Sequence, residues 1–92
     1  MTTEPRRWQV IVERNADRRM SRLPKEVRSR LLVALDRLAE NPRHPGVIKL
    51  QGYSALYRVR VGDWRIVFTI RDEQLIVIVV EVDTRGGVYR DI

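Results

Sequence analysis

The chain reads as an α+β fold, a two-helix hairpin packed on one face of a curved antiparallel β-sheet, and three observations predict it. Between Asn15 and Asn41 apolar residues recur at helical spacing. From Tyr57 to Val82 they instead alternate with polar residues or run unbroken, as strands do. Between two alternating runs stands Gly62-Asp63, a two-residue turn of the Gly-first kind that suits a type II′ hairpin. At 92 residues the chain is expected to be one domain, 1–92, with a single core.

Taken in order, Trp8 to Val12 has the aromatic and β-branched content of a first strand. Asn15 is placed to cap a short helix in which Ala16, Met20 and Leu23 form the apolar side, with Arg18, Arg19 and Arg22 opposite. Pro24 ends that helix and suits the start of the next. The second helix carries the stripe Val27, Leu31, Ala34, Leu35 and Leu38, and Asn41-Pro42 stops it. The loop that follows holds the only histidine, His44, with no second His or Cys and no acidic cluster beside it, so no metal site is expected there. Val47 to Gly52 then leads into the hairpin, with a bend at Gly52.

The hairpin Tyr57–Ile70 is the centre of the plan. Its turn pairs Val61 with Trp64, and therefore Arg60 with Arg65, Val59 with Ile66 and Arg58 with Val67. Three arginines thus share one face. Like charges directly opposite each other cost about 0.2–1 kcal/mol. Two readings of that face stand: a solvated surface over which arginine stems lie, or an anion site with guanidinium groups aimed at a phosphate. A three-residue turn at Asp72 to Gln74 would align Trp64, Ile66, Phe68 and Ile70 with Ile76, Ile78, Val80 and Val82 on the core face. The arginine face would then also hold Val67, Val77, Val79, Glu81, Asp83 and Arg85, with Glu81 opposite Arg65. Beyond Gly86-Gly87 the tail Val88-Tyr89-Arg90 is expected to end near the arginines.

Composition narrows the chemistry. There is no cysteine, so neither a disulfide framework nor a thiol nucleophile is available, which suits a reducing, cytoplasmic setting. The longest apolar run, Leu75 to Val80, is too short to span a bilayer, and the start lacks the extended apolar core of a signal peptide, so no membrane partner is expected. Lys plus Arg number 18 against 12 Asp plus Glu, a formal charge of +6 supplied mostly by arginine, which leans towards phosphate partners. Phosphate loops of the Walker and dinucleotide types, HExxH, a Ser/His/Asp set and paired carboxylates are all missing. Arginines plus a tyrosine suit phosphodiester cleavage without metal or cofactor, in which RNA's own 2′-hydroxyl attacks the adjacent phosphate.

The succession Lys49-Leu50-x-Gly52, Tyr57-Arg58-x-Arg60-Val61-Gly62-Asp63-x-Arg65, a Val-rich strand into Arg85, and Val88-Tyr89-Arg90 resembles the RelE/ParE toxin superfamily over about Trp8 to Arg90. The resemblance implies a compact α+β toxin neutralised by a cognate acidic antitoxin. RelE-like members are endoribonucleases that cut mRNA in the ribosomal A site; ParE-like members poison DNA gyrase. By position, Arg65 matches the arginine on the scissile phosphate, Arg85 a second arginine for charge stabilisation or leaving-group protonation, and Tyr89 the tyrosine that activates the 2′-hydroxyl. Lys49, Arg58, Arg60 and Arg90 would bind RNA phosphates. Arg58 and Arg60 stand where a well-known ribonuclease member has lysine, and arginine binds and neutralises without transferring its proton. Thr84 replaces the His or basic residue of many relatives, which leaves base duty to Tyr89. Tyr89 also admits the plainer reading of an amphipathic tail residue lying over the sheet. The implied function is a ribosome-dependent mRNA endoribonuclease; the alternatives are a gyrase binder without ribonuclease chemistry and an inactive relative that titrates antitoxin.

Overall fold

The computed structural model describes residues 7–52 and 55–84. The chain runs β1 (Gln9–Val12), α1 (Arg14–Ser21), α2 (Lys25–Glu40), β2 (Val47–Lys49), β3 (Tyr57–Val61), β4 (Trp64–Arg71) and β5 (Ile76–Thr84), with a 3₁₀ turn at Asp72–Gln74. One sheet holds the strands in the order β1-β5-β4-β3-β2. From β2 to β5 it is an antiparallel meander, as expected, whereas β1 joins β5 in parallel, so the sheet is mixed. Connectivity is the reason. The helices carry the chain from one edge of the sheet to the other, and a parallel pair needs a long connection of that kind. Trp8 N–H donates to the Ala39 carbonyl at 2.7 Å and Gln9 N–H to the Leu75 carbonyl at 2.9 Å, which fix β1 against the end of α2 and the start of β5.

Helix α1 begins where the β1 ladder ends. Glu13 is extended (φ −63°, ψ 156°), its N–H donates to the Val79 carbonyl at 2.9 Å, and its own carbonyl accepts the Asp17 N–H at 2.9 Å. The N-cap is therefore Glu13, without a side-chain capping bond, and the expected cap Asn15 lies inside the first turn. The ladder holds Glu13 in the backbone conformation that a capping side chain would otherwise favour. Helix α2 starts after Pro24 and stops at Asn41, which is extended (φ −158°) because the residue before a proline is pushed out of helical geometry. None of the described helices is long and apolar enough to cross a membrane.

Both helices cover the same face of the sheet. Ala16 and Met20 of α1 and Leu31, Leu35 and Leu38 of α2 pack with Val59, Ile66, Phe68, Val77, Val79 and Val82 into one core. Tyr57 stacks on Phe68 with ring centroids 5.9 Å apart. Arg43, in the loop after α2, forks onto Asp72 at 2.8 and 2.9 Å and lies 5.7 Å over the Tyr57 ring, tying that loop to the β4–β5 turn. Both partners of this clasp are exposed, so water screens it and it adds little to stability.

The β4–β5 register corrects the expected faces. Leu75 adopts a left-handed conformation (φ 55°) after the 3₁₀ turn, so the connection has four residues and Ile70 opposes Val77, one position later than a three-residue turn would place it. A bulge at Val67/Phe68 then shifts the pairing by one more residue, so that Phe68 opposes Val79 while Val67 opposes Glu81. The first shift turns Val77 and Val79 onto the core face, where both are fully buried, and turns Ile76 and Ile78 away from it. The second restores the expected sides of Glu81, Val82 and Asp83, slid along the strand by two positions. Arg65 consequently faces Asp83, not Glu81.

Candidate functional site

The hairpin register follows the sequence closely. Gly62 has φ +63°, the conformation that a Gly-first turn requires, and Arg60 opposes Arg65 while Arg58 opposes Val67. Alternation puts Arg58, Arg60, Arg65, Val67, Glu81 and Asp83 on the sheet face away from the helices. The three arginines stand at graded depths: Arg60 is exposed, Arg58 half-buried, and Arg65 only 8% exposed. Burial pushes the Arg58 pKa below its ordinary value, and the neighbouring Arg65 and Arg60 charges push it further down. Arg58 is thus held charged in a place that disfavours charge, a condition that a bound anion relieves.

Asp83 forms the buried acidic edge of this face. It is 6% exposed, lies opposite Arg65, and accepts hydrogen bonds from Arg19 Nη2 and from the Thr84 N–H, each at 2.8 Å. The Arg19 guanidinium carbon also lies 5.6 Å from the Trp64 ring centroid, so one side chain of α1 holds both an aromatic ring of β4 and a carboxylate of β5. The sequence left this pairing hidden, because Arg19 and Asp83 are 64 residues apart and the bulge determines which acid comes opposite Arg65.

Glu81 sits on the same face, opposite Val67. Its pKa is raised by burial first and by Asp83 second, with Arg19 opposing. An acid whose folded-state pKa is raised favours the fold in its protonated form. That contribution is fully present below the unfolded value of 4.5 and is lost as pH climbs through the folded one. Glu81→Gln is therefore expected to raise the melting temperature at pH 7 and to leave it unchanged at about pH 3.5. Equal melting curves at pH 7 would show that Glu81 is not held in a disfavoured charge state.

The remaining candidates divide. Lys49 is exposed and pairs with Tyr57, which places it on the helix side of the sheet, away from Arg58; its neighbour Ile48 takes the arginine side. Arg85, Tyr89 and Arg90 lie outside the described residues. His44 Nδ1 accepts the Gly46 N–H at 3.1 Å and so shapes its own loop, and among the described residues no group of three or more His, Cys, Asp or Glu side chains is arranged to hold a metal. The described part of the site is an arginine surface that can bind and neutralise an anion, backed by two carboxylates.

Residues 8–89 match the family model described as the ParE toxin of type II toxin–antitoxin systems. A RelE-like toxin protein from Escherichia coli is 32% identical over 81 residues, covering 86% of this chain and 84% of its own length. Among solved structures, the archaeal RelE–RelB complex from Pyrococcus horikoshii superposes with a TM-score of 0.74 at 28% identity, over 88% of this chain and 98% of that one. The isolated E. coli RelE toxin gives 0.74 at 26% identity, over 91% and 93%.

Proposed function

We propose that this chain, which belongs to the RelE/ParE family of toxins from type II toxin–antitoxin systems, is a ribosome-dependent mRNA endoribonuclease acting in the cytoplasm. The observation that carries the reading is the convergence of Arg58, Arg60 and Arg65 on one sheet face, with Arg58 held charged against burial and two like charges. Such a cluster is costly to the fold and useful to a phosphodiester. The 2′-hydroxyl attacks the adjacent phosphorus, the O2′–P bond forms and the P–O5′ bond breaks, leaving a 2′,3′-cyclic phosphate and a free 5′-hydroxyl. Guanidinium groups stabilise the negative charge that grows on the non-bridging oxygens. Arg60 and Arg58 meet the phosphate from solvent, and Arg65 acts from the floor of the face. Tyr89, as the phenolate, takes the 2′-hydroxyl proton, since arginines do not release theirs; Arg85 offsets charge on the leaving O5′, which takes a proton from water to become the 5′-hydroxyl. A cognate antitoxin with an acidic segment would cover the arginines and silence the site.

The test is induction of the chain in a bacterial host with mapping of 5′-hydroxyl mRNA ends during translation. Cuts at ribosome-occupied codons are expected, and Tyr89→Phe should lower their rate by about 10²-fold or more, in the range of lost general-base catalysis. Growth arrest with intact mRNA would overturn the reading. It would favour a second one, gyrase poisoning without ribonuclease chemistry, which the match to the ParE family model supports. DNA damage on induction is its signature.

A further inference from the structure

Helix α1 carries a second concentration of arginines that the hairpin site does not use. At about 100° per residue, Arg14, Arg18, Arg22, Asn15 and Arg19 fall within an arc of about 140°, while Ala16 and Met20 point into the core. A cleft of about 440 Å³ lies along this arc, lined among the described residues by Asn15, Arg18, Arg19, Arg22 and Leu23. No described acid lines it, and the exposed Arg14, Arg18 and Arg22 take part in none of the ion pairs among the described residues. Arginines four apart on a helix repel one another by about 0.2–0.5 kcal/mol per pair, so the row weakens an already short helix.

One residue links the cleft to the hairpin site. Arg19, one of its lining residues, grips Asp83, and Asp83 lies opposite Arg65. From Arg14 to Arg22 the row rises about 12 Å along the helix axis, enough to follow roughly three or four phosphates of one strand. A planar guanidinium fork suits phosphate oxygens, and a row of forks with a single apolar side chain, Leu23, suits a nucleic-acid backbone better than an amphipathic acidic peptide, which needs an apolar floor.

We propose that the α1 cleft is a polynucleotide-backbone site that holds RNA phosphates flanking the nucleotide bound at Arg58, Arg60 and Arg65. The proposal rests on the ribonuclease reading only for the choice of RNA over DNA. Binding of the full chain to a fluorescent polyuridylate of about 20 nucleotides, without ribosomes, tests it across about 50–300 mM salt. Each phosphate contact on a single strand contributes about 0.7 to the slope of log K against log salt. Arg18→Gln with Arg22→Gln should lower that slope by about 1.4, which corresponds to about 25-fold weaker binding at 0.1 M salt. The same positions changed to Lys should keep the slope, and both variants should melt no lower than the parent. Arg7→Gln with Arg71→Gln, which removes the same charge elsewhere, should leave the slope nearly unchanged. An unaltered slope in the α1 variant overturns the proposal, as does an equal fall in the remote control. Loss of antitoxin binding with an unaltered RNA slope also overturns it and hands the cleft to an acidic protein. Because no cleavage is read, a toxin that failed the mRNA test would still reveal its α1 site by an RNA slope that falls.

Discussion

Arg65→Ala is expected to lower mRNA cleavage by about 10²–10³-fold, the loss that follows removal of one preorganised group from a site of developing negative charge. Its burial makes the result informative in two ways. Arg65 is 8% exposed and faces the 6% exposed Asp83, so truncation also removes a cation from beside a buried carboxylate. Asp83 keeps its ion pair with Arg19, yet truncating a buried side chain beside it also weakens packing, so lost activity alone could reflect a weakened fold. Adding Asp83→Asn separates the two effects. Against the Asp83→Asn background, which already lacks the Arg19–Asp83 ion pair, Arg65→Ala should cost little further melting temperature, while cleavage should stay absent. Cleavage retained in the double variant would mean that Arg65 serves the fold and that Arg58 and Arg60 carry the phosphate.

Phe68→Ala should have the largest effect on stability, about 3–5 kcal/mol, from lost transfer energy and the cavity left behind. Phe68 is fully buried, stacks on Tyr57 and stands at the bulge, opposite Val79. A domain of this size is stable by only about 5–14 kcal/mol, so urea unfolding should register a large fraction of the total. The register predicts a contrast on the neighbouring strand. Val79→Ala should be clearly destabilising and Val80→Ala much less so, because Val79 is fully buried in the core and Val80 is only partly buried at the bulge. Equal costs at the two positions would contradict the shifted register.

Much of this molecule is legible in its residues alone. Helical spacing marks the α2 stripe from Val27 to Leu38, the Gly62-Asp63 turn dictates the β3–β4 pairing residue by residue, and that pairing places Arg58, Arg60 and Arg65 on one face. These features depend on neighbours within a few residues, where backbone sterics and a period of about 2 or 3.6 leave little choice. What resists reading has distant causes. The parallel edge strand β1, the cap at Glu13 and the opposition of Arg65 to Asp83 each depend on β5, at the other end of the described chain. The two one-residue shifts, one from left-handed Leu75 and one from the bulge beside Phe68, leave no local mark in the sequence of β5. That strand is apolar on both sides, so neighbours such as Ile76 and Val77 offer nearly equal hydrophobicity to either face. Local sequence determined that an arginine face exists; core packing against α1 and α2 decided which valines lie beneath it and which carboxylate stands beside its deepest arginine.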